Sequence, residues 1–276
     1  MSYINLWVSR FFDLLFKPFQ SLDPLWPLLF FSLVTGIIML VIFRYTSNQK
    51  GIKEAKDRIK AHLLEIRLFK DDLRIQLSAQ KEILRHNFTY MKHALKPMLF
   101  MIIPVVIILI QLDGWFGYRA LKPGASAIVS VKLADNTSVD ALSSVSVESP
   151  DKGLLVETPP LRIPEEGEVN WRVRANEPGE HNLTFNVSGN AFQKRVIVSD
   201  GKLDRVSRVV ASSFWDTFLN PSEESIGDNS LMKKIEVDYP SRSIEIFGWH
   251  IHWLIVFFIL SIVFGFAFKG LFKVEI

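Results

Sequence analysis

The sequence predicts a membrane protein of mixed fold, with three transmembrane helices, a cytoplasmic antiparallel helical hairpin and an extracytoplasmic immunoglobulin-like β-sandwich. Three observations predict this fold class. Residues 24–43, 98–112 and 246–268 are apolar runs without Lys, Arg, Asp or Glu, which is typical of membrane spans. Residues 52–96 contain no Gly or Pro and are rich in helix-forming residues. Residues 122–200 instead form short alternating apolar and polar runs separated by turn signals.

The composition excludes several other classes of protein. Hydrophobic residues make up 49% of the 276 residues, which excludes disorder as the main state. The chain has no cysteine, so disulfide bonds and thiolate metal sites are excluded. The β-type region contains no nucleophile motif and no glycine-rich phosphate loop. We therefore predict no enzyme activity, no metal and no cofactor.

The charge distribution predicts the topology. Residues 44–96 carry a net charge of +7, whereas residues 113–245 carry −5. Short loops rich in Lys and Arg stay in the cytoplasm, so the first loop is expected inside and the long acidic segment outside. Three spans then place the N-terminus outside and the tail at 269–276 inside, in a multi-pass protein of the cytoplasmic (inner) membrane.

Residues 1–23 are predicted to form an amphipathic helix on the outer membrane surface, before a first span at 24–43. Arg10, Asp13 and Lys17 interrupt the apolar stretches and are expected to face water. An ordinary amphipathic core helix is the alternative. The apolar stripe recurs at steps of three and four residues and consists of Ile4, Trp7, Val8, Phe11, Phe12, Leu15 and Phe19.

Residues 44–97 are predicted to form a basic coiled-coil hairpin. Both ends return to the same membrane, so the chain must reverse near Lys70-Asp71-Asp72, where an aspartate can cap a new helix. Two apolar stripes at seam-like steps are expected to hold the arms together. The first stripe is Ile52, Ala55, Ile59, Leu63 and Ile66, and the second is Leu77, Leu84, Phe88, Met91 and Leu95.

The cations of the hairpin continue to its tip, which favours contact with a polyanion such as ribosomal RNA or with anionic lipid headgroups. Orientation in the membrane and solvation are the alternative explanation of these charges. The residues that we expect to bind are Lys53, Lys56, Lys60, Lys70 and Arg74.

The remaining segments are a second span at 98–118, the β-sandwich at 119–200, a connector at 201–245 and a third span at 246–268. Six strands are predicted in the sandwich, with Trp171, Phe185 and Phe192 in its core. Apolar residues between 203 and 219 predict an interfacial helix in the connector. The third span begins with residues expected at the membrane interface, which are Trp249, His250, His252 and Trp253.

This arrangement resembles the three-span members of the YidC/Oxa/Alb insertase superfamily, a group that includes archaeal YidC-like proteins and two endoplasmic-reticulum relatives. The resemblance rests on the predicted topology, on Leu95-Lys96-Pro97-Met98 before the second span and on Gly248-Trp249 before the third. It covers about 150 residues. The β-sandwich between the second and third spans departs from the family, and no arginine lies within a span.

The resemblance implies an insertase or insertion chaperone, whose spans form a polar groove for hydrophilic substrate segments. Groove candidates are Ser32, Thr35, Gln111 and Ser261. Polar groups at mid-depth would reduce the cost of moving charge through lipid, although Ser and Thr in spans also pack helices closely. The expected partners are membrane lipids, nascent or partner membrane proteins and the ribosome. The alternative is a structural scaffold subunit of an envelope complex that binds partners through the sandwich and the hairpin.

Overall fold

The computed structural model of the chain describes residues 2–134, 139–150, 152–227 and 231–275. The chain divides into two compact units. The first, here called the β unit, comprises Met1–Pro27 and Leu109–Trp253. The second, here called the helical unit, comprises Leu28–Ile108 and Leu254–Ile276. The protein therefore combines helices and sheets in one chain, as the sequence predicts.

The helices confirm most of the predicted helical segments. Two of them, α2 and α4, are long and apolar enough to cross a membrane, whereas α7 is apolar but has only 16 residues, about 24 Å. The helices of the described residues are α1 (Ser2–Phe16), α2 (Leu25–Thr46), α3 (Gln49–Leu68), α4 (Leu73–Phe116), α5 (Val139–Ser144), α6 (Phe214–Leu219) and α7 (Trp253–Phe268).

The predicted start of the third apolar helix at residue 246 is wrong. Residues Trp249–His252 form a strand that pairs with Ser243–Ile246, and α7 begins only at Trp253. Phe247 and Gly248 connect the two strands with φ angles of 52° and 82°, as in a two-residue hairpin turn of type I′. The apolar composition of this segment predicts a helix, but the turn at Phe247 and Gly248 makes it a β-hairpin.

In the helical unit, α3 and the first part of α4 form the predicted hairpin. The reversal lies where the sequence places it, because Asp72 Oδ1 accepts hydrogen bonds from the backbone N–H groups of Arg74, at 2.9 Å, and Ile75, at 3.3 Å. On α3, Ile52 and Ala55 are buried as expected, whereas Leu63 is 54% exposed.

The second predicted seam stripe is wrong, because every one of its members is exposed. The face of α4 that is turned inward carries Ala79, which is buried, together with the half-buried Ile75, Ile83 and His86. This face lies on the opposite side of the helix from the predicted stripe. Periodicity alone could not distinguish two stripes on one helix. The exposed stripe is Leu77, Leu84, Phe88, Met91 and Leu95.

Helices α2 and α7 approach closely at Gly36. A Cβ atom placed there would lie 2.9 Å from the backbone carbonyl oxygen of Ser261, which is closer than packed atoms tolerate. Ser32 and Gly36 are four residues apart on α2, as are Ser261 and Gly265 on α7. Small residues at this spacing allow two helix backbones to come together in an apolar medium.

Gly36→Ala is therefore expected to cost about 1–3 kcal/mol of unfolding free energy, because the added methyl group must push the two backbones apart. Gly265→Ala is the matched control, since a Cβ atom there meets no atom within 4 Å. This control should be neutral or raise stability by up to about 1 kcal/mol through its helix propensity. Thermal unfolding of both variants in mild detergent measures the difference, and equal losses would contradict the close approach.

Of the three antiparallel sheets described in the β unit, two enclose one core. The larger sheet has the strand order β3-β5-β1-β9-β8, with β4 also paired to β5, and the smaller has the order β2-β6-β7. The strands of the described residues are β1 (Ser126–Leu133), β2 (Ser146–Glu148), β3 (Leu154–Val156), β4 (Leu161–Ile163), β5 (Glu168–Ala175), β6 (Gly179–Val187), β7 (Asn190–Val198), β8 (Val209–Ala211), β9 (Met232–Val237), β10 (Ser243–Ile246) and β11 (Trp249–His252).

The core of the β unit contains side chains from both sheets, which makes it a sandwich. Trp171 of β5 and Phe185 of β6 are buried, with ring centroids 5.7 Å apart, and Phe192 packs partly buried against the same core. The predicted core aromatics are thus confirmed. Strands β3 and β4 are short and separate, and Pro159 and Pro160, which have no backbone N–H to donate, lie between them.

The sandwich extends beyond residue 200, its predicted end. Strand β9 pairs with β1, and β8 pairs with β9. The predicted interfacial helix at 203–219 is therefore wrong in its first half, where Val209 and Val210 are buried in a strand. These β-branched residues favour the extended ladder over a helix. Only α6 remains helical, with exposed Phe214 and Trp215.

Helix α1 packs against the rest of the β unit through one face and exposes another. Phe16 is fully buried and stacks on Trp115, with ring centroids 4.4 Å apart and an interplanar angle of 6°. On the other side, Trp7, Phe11 and Leu14 are exposed by 72%, 58% and 69%. The helix is therefore amphipathic, as predicted, but its exposed apolar stripe includes Leu14, which the predicted stripe lacks, whereas Val8, Phe12 and Leu15 are half-buried.

Candidate functional site

The apolar helices of the helical unit line an open cavity of about 420 Å³. Helices α2, α4 and α7 all contribute to its wall. Three methionines line it, which are Met39 from α2 and Met98 and Met101 from α4. Methionine is unbranched and polarizable, so a wall rich in it adapts to differently shaped apolar groups. The cavity can therefore accept apolar side chains rather than a small polar ligand.

Two of the four predicted groove residues lie at this cavity. Thr35 of α2 and Ser261 of α7 are part of its wall, and Tyr90 is the other residue of the described lining with a polar side chain. Ser32 is fully buried beside them. The Oγ atoms of Ser32 and Ser261 have no hydrogen-bond partner among the described residues. The cavity wall is thus mainly apolar, with a few polar groups within it.

Gln111, the fourth predicted groove residue, belongs to a different site in the β unit. Its side chain is 3% exposed, and its Oε1 atom accepts hydrogen bonds from Ser9 Oγ at 3.4 Å and from Arg205 Nη2 at 3.3 Å. These two donors therefore satisfy the buried amide oxygen of Gln111. The sequence offered no signal that residues 9 and 205 would be its partners.

Arg205 is the centre of this polar cluster, which we define as Ser9, Asp13, Gln111 and Arg205. Its Nη1 atom donates to Asp13 Oδ1 at 2.5 Å and to the Ser9 carbonyl oxygen at 3.3 Å, and its Nη2 atom donates to Ser9 Oγ at 3.1 Å. The side chain is 11% exposed. Burial lowers the pKa of the Arg205 guanidinium, and Asp13 opposes that shift.

The polar cluster joins three segments that are distant in sequence. Ser9 and Asp13 lie one turn apart on α1, Gln111 lies near the end of α4, and Arg205 lies in the connector before β8. Ser9 Oγ also lies 3.1 Å from the Pro221 carbonyl oxygen, to which it can donate. A guanidinium that binds several acceptors at once orients the segments that carry them, so the cluster links α1, α4 and the connector.

A second buried ion pair stabilises the sandwich itself. Lys194 of β7 is fully buried and donates to Glu223 Oε1, to the Ser207 carbonyl oxygen at 2.7 Å and to the Arg195 carbonyl oxygen at 3.2 Å. Burial lowers the pKa of Lys194, while Glu223 raises it. Glu223 Oε2 also accepts from the backbone N–H of Arg195 at 3.0 Å. This pair fixes the connector on the smaller sheet.

The predicted binding cations are mostly exposed on the hairpin. Lys53, Lys60, Lys70 and Arg74 are exposed, whereas Lys56 is half-buried and forms an ion pair with Glu275 at 3.7 Å. The structure therefore leaves most of these cations accessible to a polyanion.

The predicted interface residues divide into two groups. Trp249, His250 and His252 are exposed on β11, whereas Trp253 is buried, with its ring centroid 6.0 Å from that of Phe116. Because side chains two residues apart share a strand face, His250 and His252 lie on the same face of β11.

The β unit also contains a cavity of about 810 Å³ with a charged wall. Four cations and four carboxylates line it. With both signs equally represented, the wall does not select a ligand of one charge. The cations are Arg119, Lys122, Lys202 and Arg242, and the carboxylates are Asp23, Asp200, Asp238 and Glu245.

Comparisons with known proteins do not define the class of this protein. No family model and no curated protein matches the chain. Among solved structures, domains 4 and 5 of the S-layer protein SbsC match with 18% identity over 30% of this chain and 47% of that chain, at a TM-score of 0.23. The longer S-layer protein structure rSbsC(31-844) matches with 14% identity over 45% of this chain and 20% of that one, at a TM-score of 0.25. This chain thus spans less than half of either structure, and TM-scores this low support no conclusion about fold or function.

Proposed function

We propose that the protein is an insertase-like membrane protein, similar to the YidC/Oxa/Alb superfamily, whose cavity between α2, α4 and α7 receives a segment of a membrane protein during insertion. The observation that carries this proposal is the cavity itself, a mainly apolar space of about 420 Å³ lined by α7 and by the two helices, α2 and α4, that are long and apolar enough to cross a membrane. An open cavity of this kind within the membrane would give a segment a protein surface to contact while the segment changes its depth in the bilayer.

The chemistry of the wall modifies the groove expected from the sequence. Because the wall is mainly apolar, we propose that it holds the hydrophobic part of a substrate segment, with Thr35, Tyr90 and Ser261 able to hydrogen-bond to a polar group that passes. A charged group at the bilayer centre costs about 2.5–3.5 kcal/mol on insertion scales, so even a few such partners reduce the barrier. Gln111 has no part in this proposal.

The proposed topology places α2, the apolar part of α4 and α7 across the cytoplasmic (inner) membrane, with the N-terminus outside and the C-terminus inside. Helix α7 is shorter than the hydrocarbon core of about 30 Å, so it would thin the bilayer around it, and thinning assists insertion. The exposed aromatic residues Trp7, Phe11 and Trp215 fit a membrane interface. The hairpin cations would bind the ribosome or anionic lipid headgroups.

Photo-crosslinking tests the cavity directly. A crosslinking amino acid in place of Met101 should form adducts with membrane proteins during their synthesis, because Met101 lines the cavity. The matched control is Ile103 on the same helix, which is 65% exposed and is not part of the cavity wall. Several-fold more substrate adducts from position 101 than from position 103 are expected. Equal yields from both positions would show contact through lipid alone and contradict the proposal.

A second candidate function, a scaffold subunit of an envelope complex, is favoured by the exposed stripe of α4. Helical spacing places a row of cations along one side of the stripe. A partner that covers the stripe should therefore be an acidic amphipathic helix of another subunit. A second copy of this chain would bring cations against cations. If position 101 yields no substrate while a crosslinker at Phe88 yields one stoichiometric partner, the scaffold function becomes the better proposal. The cations along the stripe are Arg74, Lys81, Arg85, Lys92 and Lys96.

A further inference from the structure

Two histidines and a glutamate converge between the arms of the helical hairpin, and the proposed function assigns these three side chains no role. His62 lies on α3, whereas Glu82 and His86 lie on α4. One nitrogen or oxygen atom from each lies within 4.8 Å of those of the other two. The two imidazole rings are nearly parallel, with centroids 5.8 Å apart. All three side chains are half-buried between the arms.

The side chains are held in orientations that suit metal binding. His62 Nδ1 lies 2.9 Å from Glu65 Oε2, so the carboxylate can hold a proton on Nδ1 and leave the Nε2 lone pair for a metal. Histidine ligands in metal sites commonly have such a carboxylate partner. On α4, Glu82 and His86 are one helical turn apart and share a face, with His86 Nε2 3.8 Å from Glu82 Oε2.

We propose that His62, Glu82 and His86 bind a divalent transition-metal ion that links α3 to α4. Two imidazoles and one carboxylate are the ligand types of zinc sites with an open fourth position, and they exclude Mg²⁺ and Ca²⁺, which require mainly oxygen ligands. Ligands 2.1 Å from a tetrahedral ion lie about 3.4 Å apart, so rotations of the three side chains close the remaining distance.

The charged groups nearby are compatible with this site. Arg85 Nη1 lies 3.7 Å from Glu82 Oε1, the other carboxylate oxygen from the one that faces His86, and its side chain is 76% exposed. The arms have few large buried apolar residues between them, since the buried members described on them are Ile52, Ala55 and Ala79. A metal ion at this position would therefore add a crosslink where apolar packing is sparse.

Metal titration of the full-length chain in mild detergent tests the site, with Zn²⁺ for calorimetry and Co²⁺ for its visible absorption. Wild-type protein should bind one Zn²⁺ per chain, and bound Co²⁺ should show the strong visible bands of low-coordinate geometry. His62→Gln and His86→Gln should each lose this binding, and Glu65→Gln should weaken it about 10–100-fold. His93→Gln is the matched control, because His93 is also half-buried on the inward face of α4 but lies outside the cluster.

The control variant should bind Zn²⁺ as the wild type does, and helicity by circular dichroism should confirm that every variant remains folded. The proposal is overturned if the wild-type chain gives no Co²⁺ band, if His62→Gln binds Zn²⁺ with wild-type affinity, or if His93→Gln loses binding to the same extent. The Co²⁺ spectrum of the wild type needs no variant, so a folding defect in a variant cannot conceal a negative result.

Discussion

Glu223→Ala is expected to lower the unfolding free energy of the protein by about 3–5 kcal/mol, because it leaves Lys194 as an uncompensated charge in the interior. Lys194 is fully buried, and Glu223 is its anionic partner. Lys194→Met should be milder, because the Glu223 carboxylate that it leaves behind is 12% exposed to water and keeps its hydrogen bond from the backbone N–H of Arg195. The double variant Lys194→Met/Glu223→Gln should recover much of the loss.

Glu180→Ala is the control for this ion pair. Glu180 lies 3.7 Å from Arg195 on the same sheet, but its side chain is 68% exposed. An exposed ion pair contributes about 0–1 kcal/mol, so this variant should unfold almost as the wild type does. Denaturation of the full chain in detergent, with hydrogen exchange of the β6 and β7 amides, measures all four variants. If Glu180→Ala lowers the unfolding free energy as much as Glu223→Ala does, the prediction that burial makes the Lys194–Glu223 ion pair important is contradicted.

The deficit of Glu223→Ala should also shrink as the pH rises. Burial lowers the pKa of Lys194 below its ordinary value of 10.5, and removing Glu223 removes the main influence that raises it. Between the folded and unfolded pKa values the unfolded chain binds more protons, so stability increases with pH in that window. Between pH 7 and pH 10, the unfolding free energy of Glu223→Ala should therefore approach that of the wild type. A difference in unfolding free energy that stays constant over this range would contradict a lowered pKa of Lys194 in the variant.

Arg205→Met is the second variant with a large expected effect, a loss of about 2–3 kcal/mol in the attachment of α1. It removes the donor that binds Asp13, Gln111 and two oxygens of Ser9 at once. Arg205→Lys should not restore the attachment, because an ammonium cannot replace the planar fork of a guanidinium. Hydrogen exchange of the α1 amides in the full chain measures the change.

The control for this second variant is Arg10→Ala, which removes an exposed cation from the same helix. It should leave the exchange of the α1 amides unchanged. Gln111→Leu should resemble Arg205→Met in kind, with a smaller loss, since the acceptor that it removes is neutral. If Gln111→Leu instead leaves α1 protected and reduces crosslinking at Met101, the residue would belong to the groove after all, as the sequence alone suggested.

The parts of the fold that the sequence predicts well are those set by short-range chemistry. The uninterrupted helix formers between 52 and 96 and the cap at Asp72 define the hairpin, since capping and propensity act within one turn. Alternation in β1 and β5 similarly reveals which residues are buried, because a strand face repeats every two residues. The two-residue repeat of β5 therefore predicts that Trp171 lies in the core.

The parts that the sequence mispredicts depend on partners distant along the chain. Leu203, Val209 and Val210 fit a helical stripe by spacing, but β9 lies about 25 residues later and pairs with Val209 and Val210 in a ladder. The residues of the candidate site also fall into a predicted group and an unpredicted group. Thr35 and Ser261 follow from polarity within apolar runs, whereas the methionines of the cavity wall have no distinguishing pattern in the sequence.

By itself the sequence determined the order of apolar, basic-helical and β-type segments, because each follows from the composition and period of a few consecutive residues. Tertiary structure alone decided which stripe of α4 faces α3, which residues satisfy Gln111, and that His62 meets Glu82 and His86. Each of these outcomes is a contact between groups at least 20 residues apart. Such contacts are selected by the free energy of packing and of satisfying buried polar groups across the whole chain, which no local pattern contains.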